Sequence, residues 1–570
     1  MNMNRSIIFL LAFSIYFFSS LGGFAEENKK KAKNNNKSAP TVKATAAGCL
    51  PATNFRYLDI NNVNARINTG GDMWWDLENG DYEIPKGSGK TSMFSGSLWL
   101  GGVDVNNQLK LAAQMYRYGP EGHGGLPSNK ADYYTGPLTT DGSAAIDAET
   151  CRAYDQMFPM TRSMVNDYVA AFEAGGETWQ EYAANMPEEI RNWPAHGDIS
   201  KGQSYYLAPF YDADGDGTYN PQNGDYPYYD LSGDLCGTKT PTADEQAGDV
   251  IEGSSVLSDQ VIKGDQTLWW VTNDKGNAHT ETTGTPIGVE IRAQAFGFST
   301  NDELNNMSFY SYEIINRSTF TLADTYFSQW VDPDLGYAAD DYTGCDVERG
   351  LGYVYNGTPV DGDGQPWAYG SNPPAIGVDF FQGPYIDPDG EDNAKFTGDC
   401  SIFDFDAPQG SANDGSAING VNFGDGIVDN ERFGMRRFVY HNNPGNSVGA
   451  YQNDPDYAIE YYNYLRGIWM DNSKMEYGGN GHPTADSYGP EADFMFPGNT
   501  DPCNWGTRGE EPNGPKNWTE ETAGNEEGDR RFMQSAGPFT LKPGAVNYIT
   551  VGIPWARAQR GGPFASVEKL

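Results

Sequence analysis

The chain has 570 residues, 78 acidic against 38 basic side chains, and a formal charge of −40. That charge repels nucleic-acid phosphates, so nucleic acid is not an expected partner and cations are. Aromatic side chains at 13% and 69 glycines exclude a disordered acidic chain and point to a folded, turn-rich protein dominated by strands.

The N-terminus opens with Asn4-Arg5, then an apolar run from Ile7 to Phe18, then small residues up to Phe24-Ala25. A charged start, a short apolar run and a small-residue exit predict a secretory signal peptide over 1–25, cut near Ala25. The run is shorter than the roughly 20 residues of a membrane span, and no second long run follows. Residues 26–48, rich in Lys, Asn and Ala, read as a flexible polar leader. Export to the extracellular space or outer cell surface is expected, with no membrane span.

The remaining length predicts two or three domains. An N-terminal β-rich region covers 49–147. In it, Ser97 to Val103 and Leu109 to Arg117 read as paired strands joined by the hairpin loop Asp104 to Gln108. A helical insert is expected over 148–200, because Tyr154, Met157, Phe158, Met164, Tyr168 and Phe172 recur at helical spacing before Gly175-Gly176 stops the run.

A main β-sandwich region spans 201–354. Thr267 to Thr272 reads as a strand buried on both faces, while Val289 to Phe298, Met307 to Ile315 and Thr325 to Val331 alternate apolar with polar or small residues. Long alternating strands with short Asn/Asp turns predict an antiparallel β-sandwich or jelly roll; a parallel sheet needs helical crossovers for which these linkers are too short. Residues 355–535 read as loop-rich, with many Asp, Gly and Asn. Residues 536–570 hold a closing strand, Val546 to Ile553. The abrupt finish at Glu568-Lys569-Leu570 reads as a fragment of a longer protein.

The six cysteines (Cys49, Cys151, Cys236, Cys345, Cys400 and Cys503) form no CxxC pair, which argues against a zinc ribbon. Export permits disulfides, with 15 possible full pairings.

The sharpest motif is Asp212-Ala213-Asp214-Gly215-Asp216-Gly217-Thr218-Tyr219-Asn220. Carboxylates at positions 1, 3 and 5 with glycine at 6 match the start of a calcium loop, where the Thr218 carbonyl serves position 7. Position 12 is Asn223, not glutamate, and no amphipathic helix flanks the loop. The first half therefore resembles helix-free calcium loops such as those of dockerins or thrombospondin type 3 repeats. Asn220 and Asp225 complete the expected set. A second acidic loop contains Asp332, Asp334, Asp340, Asp341 and Asp346, carboxylates that repel one another unless a cation or water lies between them. Three further groups, at 361–364, 387–392 and 425–429, read as turns first.

Catalysis has no nominee. No HExxH, GxSxG or P-loop occurs, and His123, His196, His279, His441 and His482 lack metal-ligand spacing. His279 reads as a turn residue. Trp269, Trp270 and Trp330 sit in strands and are expected in the core. Trp74-Trp75, beside Gly70-Gly71, are the better candidates for an exposed sugar-stacking platform.

Five stretches carry a resemblance: NARINTGGDMWWDLENGDYEIPK (64–86), SLWLGGVDVNNQLKLAAQMYR (97–117), YDADGDGTYNPQNGDYP (211–227), WVDPDLGYAADDYTGCD (330–346) and FGDGIVDNERFGMRRFVYHNN (423–443). Together they resemble a group of large exported proteins of Bacteroidota that end in a type IX secretion (T9SS) sorting domain. The resemblance covers about residues 50 to 570, implies a surface or released destination, and supplies no catalytic residues. The sorting domain itself is absent from this sequence. The expected function is a non-enzymatic structural or adhesive protein stiffened by structural Ca2+, with surface glycans or other cell-surface proteins as partners. The alternative is a glycan-binding or glycan-degrading protein. A cleft pairing an exposed Trp with two carboxylates would favour the alternative.

Overall fold

A computed structural model describes residues 47–120, 129–228, 250–252, 262–442, 449–484, 486–514 and 516–570. The expected signal peptide, nearly all of the leader, and Cys236 lie outside the described residues. The fold is mainly β, an antiparallel sandwich of two ten-stranded sheets. Among the described residues no helix is long and apolar enough to cross a membrane.

The first sheet runs Arg437–Asn442, Arg530–Leu541, Leu322–Asp332, Ser95–Asp104, Asp72–Met73, Asn64–Asn68, Tyr82–Glu83 and Thr91–Met93, with Phe55–Leu58 paired to Asn64–Asn68 and Leu109–Ala112 to Ser95–Asp104. The second runs Asp341–Asp346, Leu351–Asn356, Ala375–Gln382, Val546–Ile553, Ser308–Asn316, Val289–Gly297, Gln266–Asn273 and Tyr134–Thr135. Both sheets thus draw strands from the N-terminal, middle and C-terminal parts of the chain. The chain passes between them twice at one end of the strands, from Asn316 to Leu322 and from Leu541 to Val546, and Asn316 Nδ2 donates to the carbonyls of Phe320 and Leu541 there.

The alternating strands bury one face between the sheets. Trp74 Nε1 donates to Tyr310 Oη at 2.8 Å, Tyr312 meets Phe327 with ring centroids 6.0 Å apart, and Phe327 meets Phe380 at 5.6 Å. The opposite face of the first sheet is also covered: Trp330 stacks on Trp99, and Tyr461, from the helix Ala458–Leu465, packs on Trp99 at 4.6 Å. Gln266–Asn273 is buried on both sides, as its unbroken apolar run requires. Leu268 and Trp270 face the central core, whereas Trp269 and Val271 lie under the helical insert.

That insert holds the helices Ala148–Ala153, Arg162–Ala174, Gly176–Ala184 and Glu188–Arg191. Thr161 caps the second by accepting from the Met164 N–H, and Gly175, at φ 61°, ends it. One correction applies: Phe158–Thr161 is a strand on the edge of the second sheet, pairing Pro159 with Leu268. The Leu109 strand likewise stops at Ala112, and the loop-rich region ends earlier than expected because a strand starts at Arg530.

The tryptophan platform is also overturned. Trp74 and Trp75 are fully buried, at 0% exposure. Gly71, at φ 85°, turns the chain so that Met73 pairs back with Ile67, which aims both rings inward, and a β-carbon at Gly96 would collide with the Trp74 ring. Trp269, Trp270 and Trp330 are core residues.

Two disulfides join Cys49 to Cys151 and Cys400 to Cys503, and Cys345 is a buried thiol donating to the Met495 carbonyl. Asp379, half-buried on the strand Ala375–Gln382, is pushed up to about 7 by burial and then by the Asp346 charge. Its unfolded value is about 3.9, so the folded state binds the extra proton and stability falls as pH rises from about 4 to 7. Asp379→Asn is therefore expected to stabilise the chain by about 1–2 kcal/mol at pH 8, after discounting for exposure, and by nothing at pH 4. Urea midpoints at the two pH values check this.

Candidate metal centres

Among the described residues, two groups of carboxylates converge. In the first, Asp212 ends the short strand Phe210–Asp212, and the chain then turns through Gly215 and Gly217, at φ 72° and 74°. Asp212, Asp214 and Asp216 each bring an oxygen within 4.8 Å of the others. Asp212 is buried and accepts the N–H groups of Gly215 (2.9 Å) and Gly217 (2.7 Å); Asp216 accepts that of Thr218 (2.7 Å). These are turn-making bonds, which an acidic loop forms with or without an ion.

The remaining residues expected there brace the loop. Asp225 closes it by accepting from the N–H groups of Ala213 (2.8 Å) and Asn220 (2.7 Å). Burial raises its carboxyl to about 6, against those two hydrogen bonds, and Asp212 and Asp214 add to the rise. The Asn220 side chain accepts from the Gln222 N–H, and the Thr218 hydroxyl meets Tyr205 Oη at 3.0 Å. Sequence reading missed His196, whose Nε2 accepts the Tyr219 N–H at 2.8 Å while its ring stacks on Tyr205.

The second group is assembled by strand pairing. Leu322–Asp332 and Arg530–Leu541 run antiparallel with Val331 opposite Phe532, so the end of one strand meets the start of the other. Asp332, Asp334 and Asp529 there each offer an oxygen within 4.8 Å of the others. Asp332 is 1% exposed; its Oδ2 accepts from Tyr116 Oη (2.6 Å) and lies 3.3 Å from Arg531, while its Oδ1 is buried with no hydrogen-bond partner among the described residues. Arg531 also binds Asp529 at 2.7 Å and reaches Asp454 at 3.7 Å. One guanidinium is thus shared among several carboxylates. Burial first, then the Asp529 charge, pushes Asp334 up to about 7, and burial drives Asp332 higher against the pull of Arg531.

No protein-family model matches this chain, and no curated protein matches it in sequence.

The other aspartates of that loop go elsewhere. Asp341 accepts the Leu335 N–H at 3.2 Å and Asp340 the Gly362 N–H at 2.9 Å, beside Asp361, which accepts the N–H groups of Tyr337 and Tyr369. Among the described residues the Oδ1 atoms of Asp340 and Asp341 are buried without a hydrogen-bond partner, and burial followed by the Asp340 and Asp361 charges lifts Asp341 well above the carboxylate range. Asp346 lies at the far end of the strand Asp341–Asp346 and pairs with Arg349 at 2.5 Å. Asp529 was not legible as a site residue.

The triad opens on a cleft of about 480 Å³ lined by Asn79, Thr91, Phe94, Tyr337, Trp367 and two of its own members, Asp334 and Asp529. His279 takes no part: its ring is buried between the carbonyls of Leu111 (2.8 Å) and Asp274 (2.7 Å), a packing role.

Proposed function

We propose that this chain is a secreted or cell-surface protein without catalytic activity, structural or adhesive in role, whose acidic loops are stiffened by calcium. The observation that carries the reading is the triad Asp332, Asp334 and Asp529, in which a buried oxygen of Asp332 has no hydrogen-bond partner among the described residues and Asp332 and Asp529 share Arg531. Asp332, Asp334 and Asp529, with Asp454 beside them, crowd acidic oxygens around one guanidinium; a divalent cation offsets such an excess, and calcium is a hard ion that takes oxygen ligands. The loop at Asp212, Asp214 and Asp216 is the second candidate. Export, and membership of the large exported proteins of Bacteroidota, rest on the N-terminal sequence and on the five stretches quoted above.

A glycan-binding role is the second reading. It is favoured by Trp367, half-exposed beside Asp334 and Asp529 in one cleft.

Thermal unfolding of the full chain in EGTA and then in 1 mM CaCl2 tests the calcium reading. A site with a Kd near 10 μM adds about 2.7 kcal/mol of stability at that concentration. The midpoint is expected to rise with calcium and much less with magnesium, which demands tight octahedral geometry and dehydrates reluctantly. No rise with calcium would reduce both acidic groups to ordinary turns.

A further inference from the structure

Trp367 is 50% exposed in a protein that buries nearly all its other tryptophans. Its loop is nonetheless pinned on both sides. Lys90 Nζ donates to the carbonyls of Pro366 and Ala368, the neighbours of Trp367, and Asp361 accepts the Tyr369 N–H. Holding a large apolar ring half in water forgoes burial that would otherwise stabilise the fold. A fixed, exposed tryptophan lining a cleft of mixed polarity suits stacking on the apolar face of a pyranose ring.

The second feature is coordination. Calcium takes six to eight oxygens. Asp332, Asp334 and Asp529 supply three carboxylates, and the last two also line the cleft. An ion held there keeps positions that ligand or water oxygens must fill. Two adjacent sugar hydroxyls supply a chelating pair, and Asn79 and Thr91 also line the cleft. The cleft falls in the size range of small-ligand sites.

We propose that this cleft binds a glycan through a bridging calcium: Trp367 stacks on one pyranose face while two adjacent hydroxyls of that sugar complete the coordination of the ion held by Asp332, Asp334 and Asp529. The proposal rests on the calcium reading of the triad. With calcium bound, the excess negative charge at the mouth of the cleft is offset, which suits a neutral sugar over an organic cation.

The test uses the full chain in two stages. Calcium alone is titrated first, by calorimetry, into the parent, Asp334→Asn and Trp367→Ala. The sugars methyl α-mannoside, methyl β-galactoside, mannobiose and lactose are then titrated in 1 mM CaCl2 and in EGTA, following tryptophan fluorescence and calorimetric heat. The expected result is binding of at least one sugar in calcium, weakened tenfold or more by EGTA and by Trp367→Ala, with the calcium affinity of Trp367→Ala unchanged. Calcium binding to the triad with no response to any of the four sugars would overturn the glycan site and leave the calcium reading standing. Sugar binding that survives EGTA would overturn the bridge. Equal calcium binding by the parent and Asp334→Asn would remove both. Binding of tetramethylammonium in EGTA, with no sugar bound in calcium, would assign the cleft to organic cations and overturn the proposal.

Discussion

Asp334→Asn is expected to move stability in opposite directions with and without calcium. In EGTA the variant should unfold later than the parent, because it removes one of three crowded carboxylates, and the one that makes no ion pair with Arg531 within 4 Å among the described residues. Two ionised carboxylates at this spacing repel by about 3 kcal/mol at an effective dielectric constant of 20, and partial protonation relieves much of that. A net gain of about 1 kcal/mol at pH 8 is the expected size. In 1 mM calcium the order should reverse, because the parent gains about 2.7 kcal/mol from a 10 μM site and the variant loses most of it. The crossing is the diagnostic. A merely structural aspartate would make the variant worse in both buffers, and a solvated one would change neither.

Asp334 suits this experiment better than its neighbours. Asp332 also accepts the Tyr116 hydroxyl and pairs with Arg531, so Asp332→Asn would damage the fold directly. Asp529 binds Arg531 at 2.7 Å, and its loss would free that guanidinium to redistribute. In the other loop, Asp212→Asn carries the same confusion, since both of its oxygens hold backbone N–H groups.

What the sequence revealed divides by how local the determining contacts are. Gln266–Asn273 was legible because burial on both faces leaves an unbroken apolar run, and Ser308–Asn316 because its inward Tyr310, Tyr312 and Ile314 alternate with smaller or polar residues. The first acidic loop was legible because Asp212, Asp214 and Asp216 are neighbours in the chain and lie together in the fold. The second was half legible. Asp332 and Asp334 are adjacent, but Asp529 reaches them through a strand register that pairs distant segments, and no local pattern encodes it. Sequence proximity also misled, since Asp346 is carried away along its own strand to Arg349. Phe158–Thr161 looked helical because Phe158 continues an apolar period. Pro159, which suits a sheet edge, was the contrary signal. The tryptophans show the same limit. Gly70-Gly71 suggested an exposed turn at Trp74-Trp75, while the rings' partners, Tyr310 among them, lie far along the chain.

Arg117→Met should be among the most damaging single substitutions in the chain. Asp72 is fully buried beneath Trp75 and is held by four side chains: Arg117 Nη2 at 2.6 Å, Trp75 Nε1 at 2.7 Å, Gln114 Nε2 at 3.0 Å and Asn68 Nδ2 at 3.2 Å. Arg117 is almost as buried, and its Nη1 also donates to the Ala52 carbonyl at 2.6 Å. Methionine fills much of the volume of arginine but leaves the carboxylate without a counter-charge where water cannot reach it. Breaking a buried ion pair from one side costs about 3–5 kcal/mol. The double variant Arg117→Met/Asp72→Asn is expected to cost less than the single one, because it removes the stranded charge along with its partner. Urea unfolding monitored by near-ultraviolet circular dichroism measures both quantities, since Trp75 is bonded to the affected carboxylate. If the double variant were as unstable as the sum of the two single ones, the pair would be uncoupled, and Asp72 would support Trp75 through its other hydrogen bonds and not through the ion pair.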